Sequence, residues 1–227
     1  PAVVDVISLN YQGEGIRQSG LPRDNVFVTT KVWNSEQGFD KTLRAAEASL
    51  KRLGLDHVDL LLIHWPCPRK DLYLDTWRAL VRLRDEGRAL SIGVSNFQEP
   101  QLTRIIAETG VTPAVNQVEI NPRLQQPALR AFHARHGIVT QSWTPLGQGR
   151  SFATAPVQAA AKRTGRSPAQ VILRWHIQIG ASVMTFDGQV RVDPVRLGVN
   201  VGLPQLAVGR DRIALTYPLA GVNMFQP

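Results

Sequence analysis

Apolar positions recur along this chain with two alternating periods. Phe39, Leu43, Ala46, Leu50 and Leu53 follow at spacings of four and three, the stripe of one helical face. Gly54 comes next, where a left-handed residue ends a helix, and then the short apolar run V-D-L-L-L-I-H at 58–64. The same order returns several times. Trp77, Leu80 and Val81 mark a helix ended by Gly87, followed by A-L-S-I-G-V-S-N. Leu102, Ile105 and Ile106 mark another, then Gly110 and P-A-V-N-Q-V-E-I. Leu129 and Phe132 precede Gly137 and G-I-V-T-Q-S-W. Ser167 and Pro168 read as N-cap and first-turn residues of a helix carrying Val171, Ile172, Trp175 and Ile179, closed by Gly180 before A-S-V-M. V-F-V-T-T-K at 26–31 is a further strand.

Strands that alternate with helices predict parallel β/α units. The strands are almost wholly apolar, as expected when both faces are covered. A doubly wound sheet and a (β/α)8 TIM barrel both fit this pattern. A doubly wound nucleotide binder calls for G-x-G-x-x-G after its first strand. The nearest stretch places its glycines at Gly13, Gly15 and Gly20, at the wrong spacing. The barrel is therefore favoured, as a single domain over residues 1–227.

Barrels carry their chemistry at the C-terminal ends of their strands. Those ends hold Lys31, His64, Ser95 with Asn96, Gln117 within N-Q-V-E, and Trp143. Taken singly, each has a structural role open to it: a solvated terminus, a satisfied histidine, turn residues, a backbone partner, a core indole. Together they suggest one reaction class. A lysine beside a phenol makes the phenol a better proton donor near neutral pH. A neutral imidazole donates to a carbonyl oxygen as charge develops there. An indole offers a flat face to a planar ring, and amide side chains bond a carboxamide. That set suits hydride transfer between a nicotinamide and a carbonyl.

Composition narrows the picture. The net charge of +8 comes from 26 basic residues, of which only Lys31, Lys41, Lys51, Lys70 and Lys162 are lysines. The arginines are dispersed and not interleaved with aromatics, which argues against nucleic acid and leaves a small phosphorylated ligand open. No apolar run approaches the ~20 residues of a membrane span. Cys67 is the only cysteine, in keeping with a reducing, cytoplasmic setting.

Five ordered stretches resemble the aldo-keto reductases, most nearly the bacterial diketogluconate reductase type: F-V-T-T-K-V-W-N, D-L-L-L-I-H-W-P, I-G-V-S-N-F, P-A-V-N-Q-V-E-I-N-P and W-T-P-L-G-Q-G. The resemblance covers residues 13–184. It implies a (β/α)8 barrel that binds NADPH without a Rossmann fold and reduces an aldehyde or ketone, as a monomer acting on a small-molecule carbonyl substrate. It implies a tetrad of Asp5, Tyr11, Lys31 and His64. Ser95, Asn96 and Gln117 would hold the nicotinamide carboxamide, and Trp143 would stack on the ring. Thr144, Leu146 and Gln148 would run along the pyrophosphate, and Trp33 and Trp65 would line the substrate pocket.

The chain departs from the family in three places. The N-terminal hairpin and first β/α unit of the family are not represented. Asp5 and Tyr11 stand six apart where the family has five. The family's I-P-K-S is replaced by a divergent stretch from 185 to 227. There V-D-P-V-R-L-G-V-N-V resembles a weaker family motif that implies Arg196 on the 2′-phosphate and Asn200 on the adenine, with Arg191 in place of the lost lysine. The irregular Asp5–Tyr11 spacing raises an alternative, a barrel that binds NADPH without turning over.

Overall fold

A computed structural model describes residues 2–5, 9–183, 207–209 and 212–214. Seven parallel strands form one sheet in sequence order. They are β1 (Ala2–Asp5), β2 (Val26–Val32), β3 (Val58–Ile63), β4 (Ala89–Ser95), β5 (Val115–Glu119), β6 (Val139–Trp143) and β7 (Ser182–Val183). The helices between them are α1 (Leu9–Gln18), α2 (Phe39–Leu53), α3 (Tyr73–Asp85), α4 (Glu99–Thr109), α5 (Pro127–His136), α6 (Ala155–Thr164) and α7 (Pro168–Gln178). A separate antiparallel pair joins β8 (Ala207–Gly209) to β9 (Arg212–Ala214). Parallel strands in unbroken order, with a helix after each of β1 to β6, are the arrangement expected of a (β/α)8 barrel wall.

The predicted strands are present with small shifts. The strand read from 113 starts at Val115; Pro113 has no N–H for the ladder, while Ala114 already bonds Ile92 and Val139 on either side. His64 and Asn96 fall one residue beyond β3 and β4, in the loops. Helix α7 opens on the predicted cap: Ser167 Oγ accepts from the Gln170 backbone N–H at 3.3 Å, and Gln170 Oε1 accepts from that of Ser167 at 3.0 Å. Helices α1 and α6 were not expected from the pattern.

The strand parity sorts every side chain to one of two faces. Val28, Leu61, Ile63, Ile92, Val94 and Val118 face outward and join Leu50, Trp77, Leu80, Leu102, Ile105 and Phe132 of the helices in the main core. Leu60 and Leu62 are just as buried but lie on the opposite face of β3, outside that cluster. The inner face is packed tightly at Gly93, where an added Cβ would stand 2.6 Å from the Val115 carbonyl oxygen. Behind the sheet, His133 is held between Thr140 Oγ1 (2.8 Å) and the Asn116 amide (2.9 Å). Burial pushes its pKa down to about 4.

The two ends of the sheet turn differently. Connections from helix to strand use glycine for the left-handed position, as at Gly54 (φ 69°) and its counterparts at 87, 110, 137 and 180. The six described non-glycine residues with positive φ are Cys67, Asp71, Asn96, Gln126, Thr144 and Gln148. All six lie in loops that leave the C-terminal ends of β3, β4, β5 and β6.

Candidate active site

Parity places the predicted site residues on one surface. Lys31 on β2, Ser95 on β4, Gln117 on β5 and Trp143 on β6 all have inward parity, and His64 continues the inward series of Leu60 and Leu62. Ser95 and Trp143 end their strands, Lys31 is next to last in β2, His64 lies just past β3, and Gln117 is central in β5. Lys31 is in register with Leu62, and Ser95 with Gln117. Five neighbouring strands thus deliver a cation, an imidazole, a hydroxyl, amides and an indole to one rim.

His64 is held through its backbone. Its N–H donates to the Val32 carbonyl at 3.1 Å, and its own carbonyl accepts from Asn96 Nδ2 at 3.1 Å. The Trp33 ring stacks on the imidazole with centroids 4.5 Å apart and planes at 24°. Trp65 meets it edge-on at 6.3 Å. Both tryptophans are unusually open for their size, at 60% and 41% exposure. Large exposed aromatics around an imidazole make an apolar docking surface for a ligand. The Trp65 loop is fastened by Gln37 Nε2, which donates to the Trp65 carbonyl at 2.6 Å, and by Lys70 Nζ, which donates to the Asn34 carbonyl at 2.9 Å. A cavity of about 300 Å³ reaches Lys31, Trp33 and His64 and extends to Ala46 and Ser49 of α2.

Asn96 spans the rim. Its left-handed backbone (φ 63°) turns the side chain inward. Nδ2 donates to the His64 carbonyl and to Ser95 Oγ, both at 3.1 Å, and Oδ1 accepts from Trp143 Nε1 at 3.0 Å. Ser95 Oγ in turn donates to the Gln117 carbonyl at 2.7 Å. Gln117 Nε2 donates at 2.8 Å to Gln141 Oε1, a residue the sequence reading passed over. Parity alone puts Gln141 on the face of Trp143, two residues further on, but gives no sign of its partner.

The loop after β6 carries the residues expected along a pyrophosphate. Thr144 and Gln148 have φ of 50° and 56°, and the backbone closes on itself through Gly147 N–H to the Thr144 carbonyl and Gly149 N–H to the Leu146 carbonyl. Arg150, next to this turn, donates to Gln148 Oε1 at 2.9 Å.

Asp5 closes β1 in register with Thr29, and Tyr11 lies in the first turn of α1. The Asp5 backbone thus lies beside that of β2, two residues short of Lys31 in register, and α1 packs on α2. Arg191, Arg196 and Asn200 lie outside the described residues. Among the described residues, no three His, Cys, Asp or Glu side chains are grouped to hold a metal ion. No described helix is long and apolar enough to cross a membrane.

Residues 5–194 match the Aldo/keto reductase family. An aldo-keto reductase of Mycobacterium sp. (strain JLS) is 53% identical over 215 residues, which are 95% of this chain and 76% of the relative. The crystal structure of an aldo/keto reductase from Brucella melitensis superposes with a TM-score of 0.76 at 46% identity, over 86% of this chain and 74% of that one. A mutant of Gox0644 crystallised in complex with NADPH is similar at a TM-score of 0.75 and 45% identity, over 86% of this chain and 70% of that one.

Proposed function

This chain belongs to the aldo/keto reductase family, and on that premise we propose that it reduces an aldehyde or ketone to the alcohol with NADPH, in a (β/α)8 barrel. The observation that carries this reading is the inward convergence of Lys31, His64, Asn96, Gln117 and Trp143 at the C-terminal rim.

The donor set fits a nicotinamide cofactor. Trp143 presents a partly exposed indole whose edge is fastened by Asn96, so its face is held for a planar ring. Buried amide and hydroxyl groups at Gln117 and Ser95 stand beside it, matching a ligand that carries a carboxamide. The left-handed turns at Thr144 and Gln148 shape the loop for a phosphate chain, with Leu146 as its apolar side. Arg191, Arg196 and Asn200 are assigned to the adenosine half of the cofactor. When bound, the nicotinamide supplies the hydride.

The remaining steps belong to protein groups. Trp33 and Trp65 dock the apolar part of the substrate. His64 orients the carbonyl and donates a hydrogen bond as negative charge develops on its oxygen. Tyr11 delivers the proton to that oxygen. Lys31, paired with Asp5, favours ionisation of the phenol and so brings its proton within reach near neutral pH.

The test is consumption of NADPH, followed by absorbance, with a reactive aromatic aldehyde as acceptor. Turnover is the expected result. Quenching of tryptophan fluorescence by NADPH without turnover would instead establish a cofactor-binding barrel with an idle tetrad.

A further inference from the structure

Gln117 and Gln141 are Cα partners on adjacent parallel strands. Both project inward and both are nearly inaccessible, at 3% and 9%. Their amides bond across the strands, Gln117 Nε2 donating to Gln141 Oε1 at 2.8 Å. The two ends of a glutamine amide have almost the same shape, so hydrogen-bond partners decide which end points where. The Gln117 backbone has no freedom to compensate. Its carbonyl accepts from Ser95 Oγ at 2.7 Å and from the Asn96 N–H at 2.9 Å.

We propose that Gln141 is a positioning residue for cofactor recognition: it fixes the Gln117 amide so that its carbonyl oxygen is offered to the amino group of a bound carboxamide. This rests on the NADPH reading given above. Gln141 lies two residues before Trp143 on β6, about 7 Å along the strand on the same face. The amide pair therefore sits directly below the indole proposed to carry the ring. Gln141 touches no ligand in this assignment and acts through Gln117. Its loss removes the acceptor that holds Gln117 Nε2 in this direction, and the site then tells a carboxamide less well from a group without an N–H donor.

The experiment compares NADPH with its 3-acetylpyridine analogue, in which a methyl ketone replaces the carboxamide. Binding is read by quenching of intrinsic tryptophan fluorescence, independently of turnover. The wild-type protein is expected to prefer NADPH by about tenfold, the worth of one hydrogen bond of ordinary strength. Gln141→Met keeps the volume and removes the acceptor, and its preference should fall close to one. Gln141→Glu restores an acceptor and should restore the preference. Gln141→Thr, too short to reach Gln117, makes the same comparison if the methionine variant does not fold. A preference unchanged in the folded methionine or threonine variant overturns the assignment. Wild-type protein that binds neither cofactor overturns the NADPH reading and this assignment with it, whereas binding with no preference overturns the Gln117–Gln141 assignment alone.

Discussion

Trp143 donates its indole N–H to Oδ1 of Asn96 at 3.0 Å, although β5 separates their strands. Two neighbouring strand gaps amount to roughly 10 Å, a span that the long indole and the Asn96 amide bridge between them. Asn96 also holds the His64 carbonyl. One side chain therefore ties the proposed stacking residue to the proposed carbonyl-orienting residue.

Replacing Asn96 by Asp keeps an acceptor for Trp143 but removes both donors, to His64 and to Ser95. The expected result is a drop in kcat/KM of about ten- to a hundredfold, the loss of one or two hydrogen bonds. Trp143→Phe keeps an aromatic face and loses only the tether, and should cost less. Steady-state kinetics on the two variants and their double mutant checks this. Fully additive effects would show that the tether couples nothing.

His64→Ala should lower kcat/KM by about a hundred- to ten-thousandfold, the usual range for a positioned catalytic group. NADPH affinity should stay near wild type, since His64 faces the substrate. A folded variant with undiminished kcat/KM would remove His64 from the mechanism.

Gly13→Ala separates two opposed effects. Alanine is the better helix former by about 1 kcal/mol, so α1 considered alone would gain. In the folded chain the new Cβ would stand 2.6 Å from the Leu53 carbonyl oxygen and 2.8 Å from that of Arg52. These are backbone atoms of the last turn of α2 and cannot swing away. The clash should win, with a net destabilisation of about 1–3 kcal/mol and a lower Tm. Since α1 also carries Tyr11, turnover should fall as well. A raised Tm would show that α1 does not pack here.

His133 makes stability depend on pH. Burial lowers its pKa from 6.5 to about 4 in the folded protein. Between those values the unfolded chain takes up a proton that the folded one refuses. Stability is therefore complete above about pH 6.5 and falls as pH drops towards 4, by on the order of 3 kcal/mol at most. His176, also held down by burial, acts in the same direction. Urea unfolding midpoints followed from neutral pH downward should fall, and His133→Gln should flatten the slope. An equal slope in the variant would assign the dependence elsewhere.

The repeated helix–glycine–strand order was readable because each helix buries a dense apolar stripe and each inner strand is covered on both sides. Helix α1 escaped notice because L-N-Y-Q-G-E-G-I-R-Q contains two glycines and a weak stripe. Helix α6 buries only Val157 and Ala160, too little to mark a period. Lys31, His64 and Trp143 were legible as polar or aromatic residues where apolar runs stop. Gln141 was not, because a polar residue inside a strand reads as exposed unless its partner is known. The bonds of Asn96 were equally hidden, since they join residues of three different loops and strands and depend on a left-handed backbone at a residue other than glycine.

That backbone feature is shared by Cys67, Asp71, Asn96, Gln126, Thr144 and Gln148, all on the rim that carries the site. A left-handed residue with a side chain costs about 1 kcal/mol relative to glycine. The opposite end, turned by glycines, avoids that cost. At Asn96 glycine would ease the backbone but strip the bonds to His64, Ser95 and Trp143, and it would also loosen the unfolded chain. The two ends of the sheet are thus unequal in what they tolerate: one can be turned by the residue that bends most easily, while the other needs a side chain at the bend.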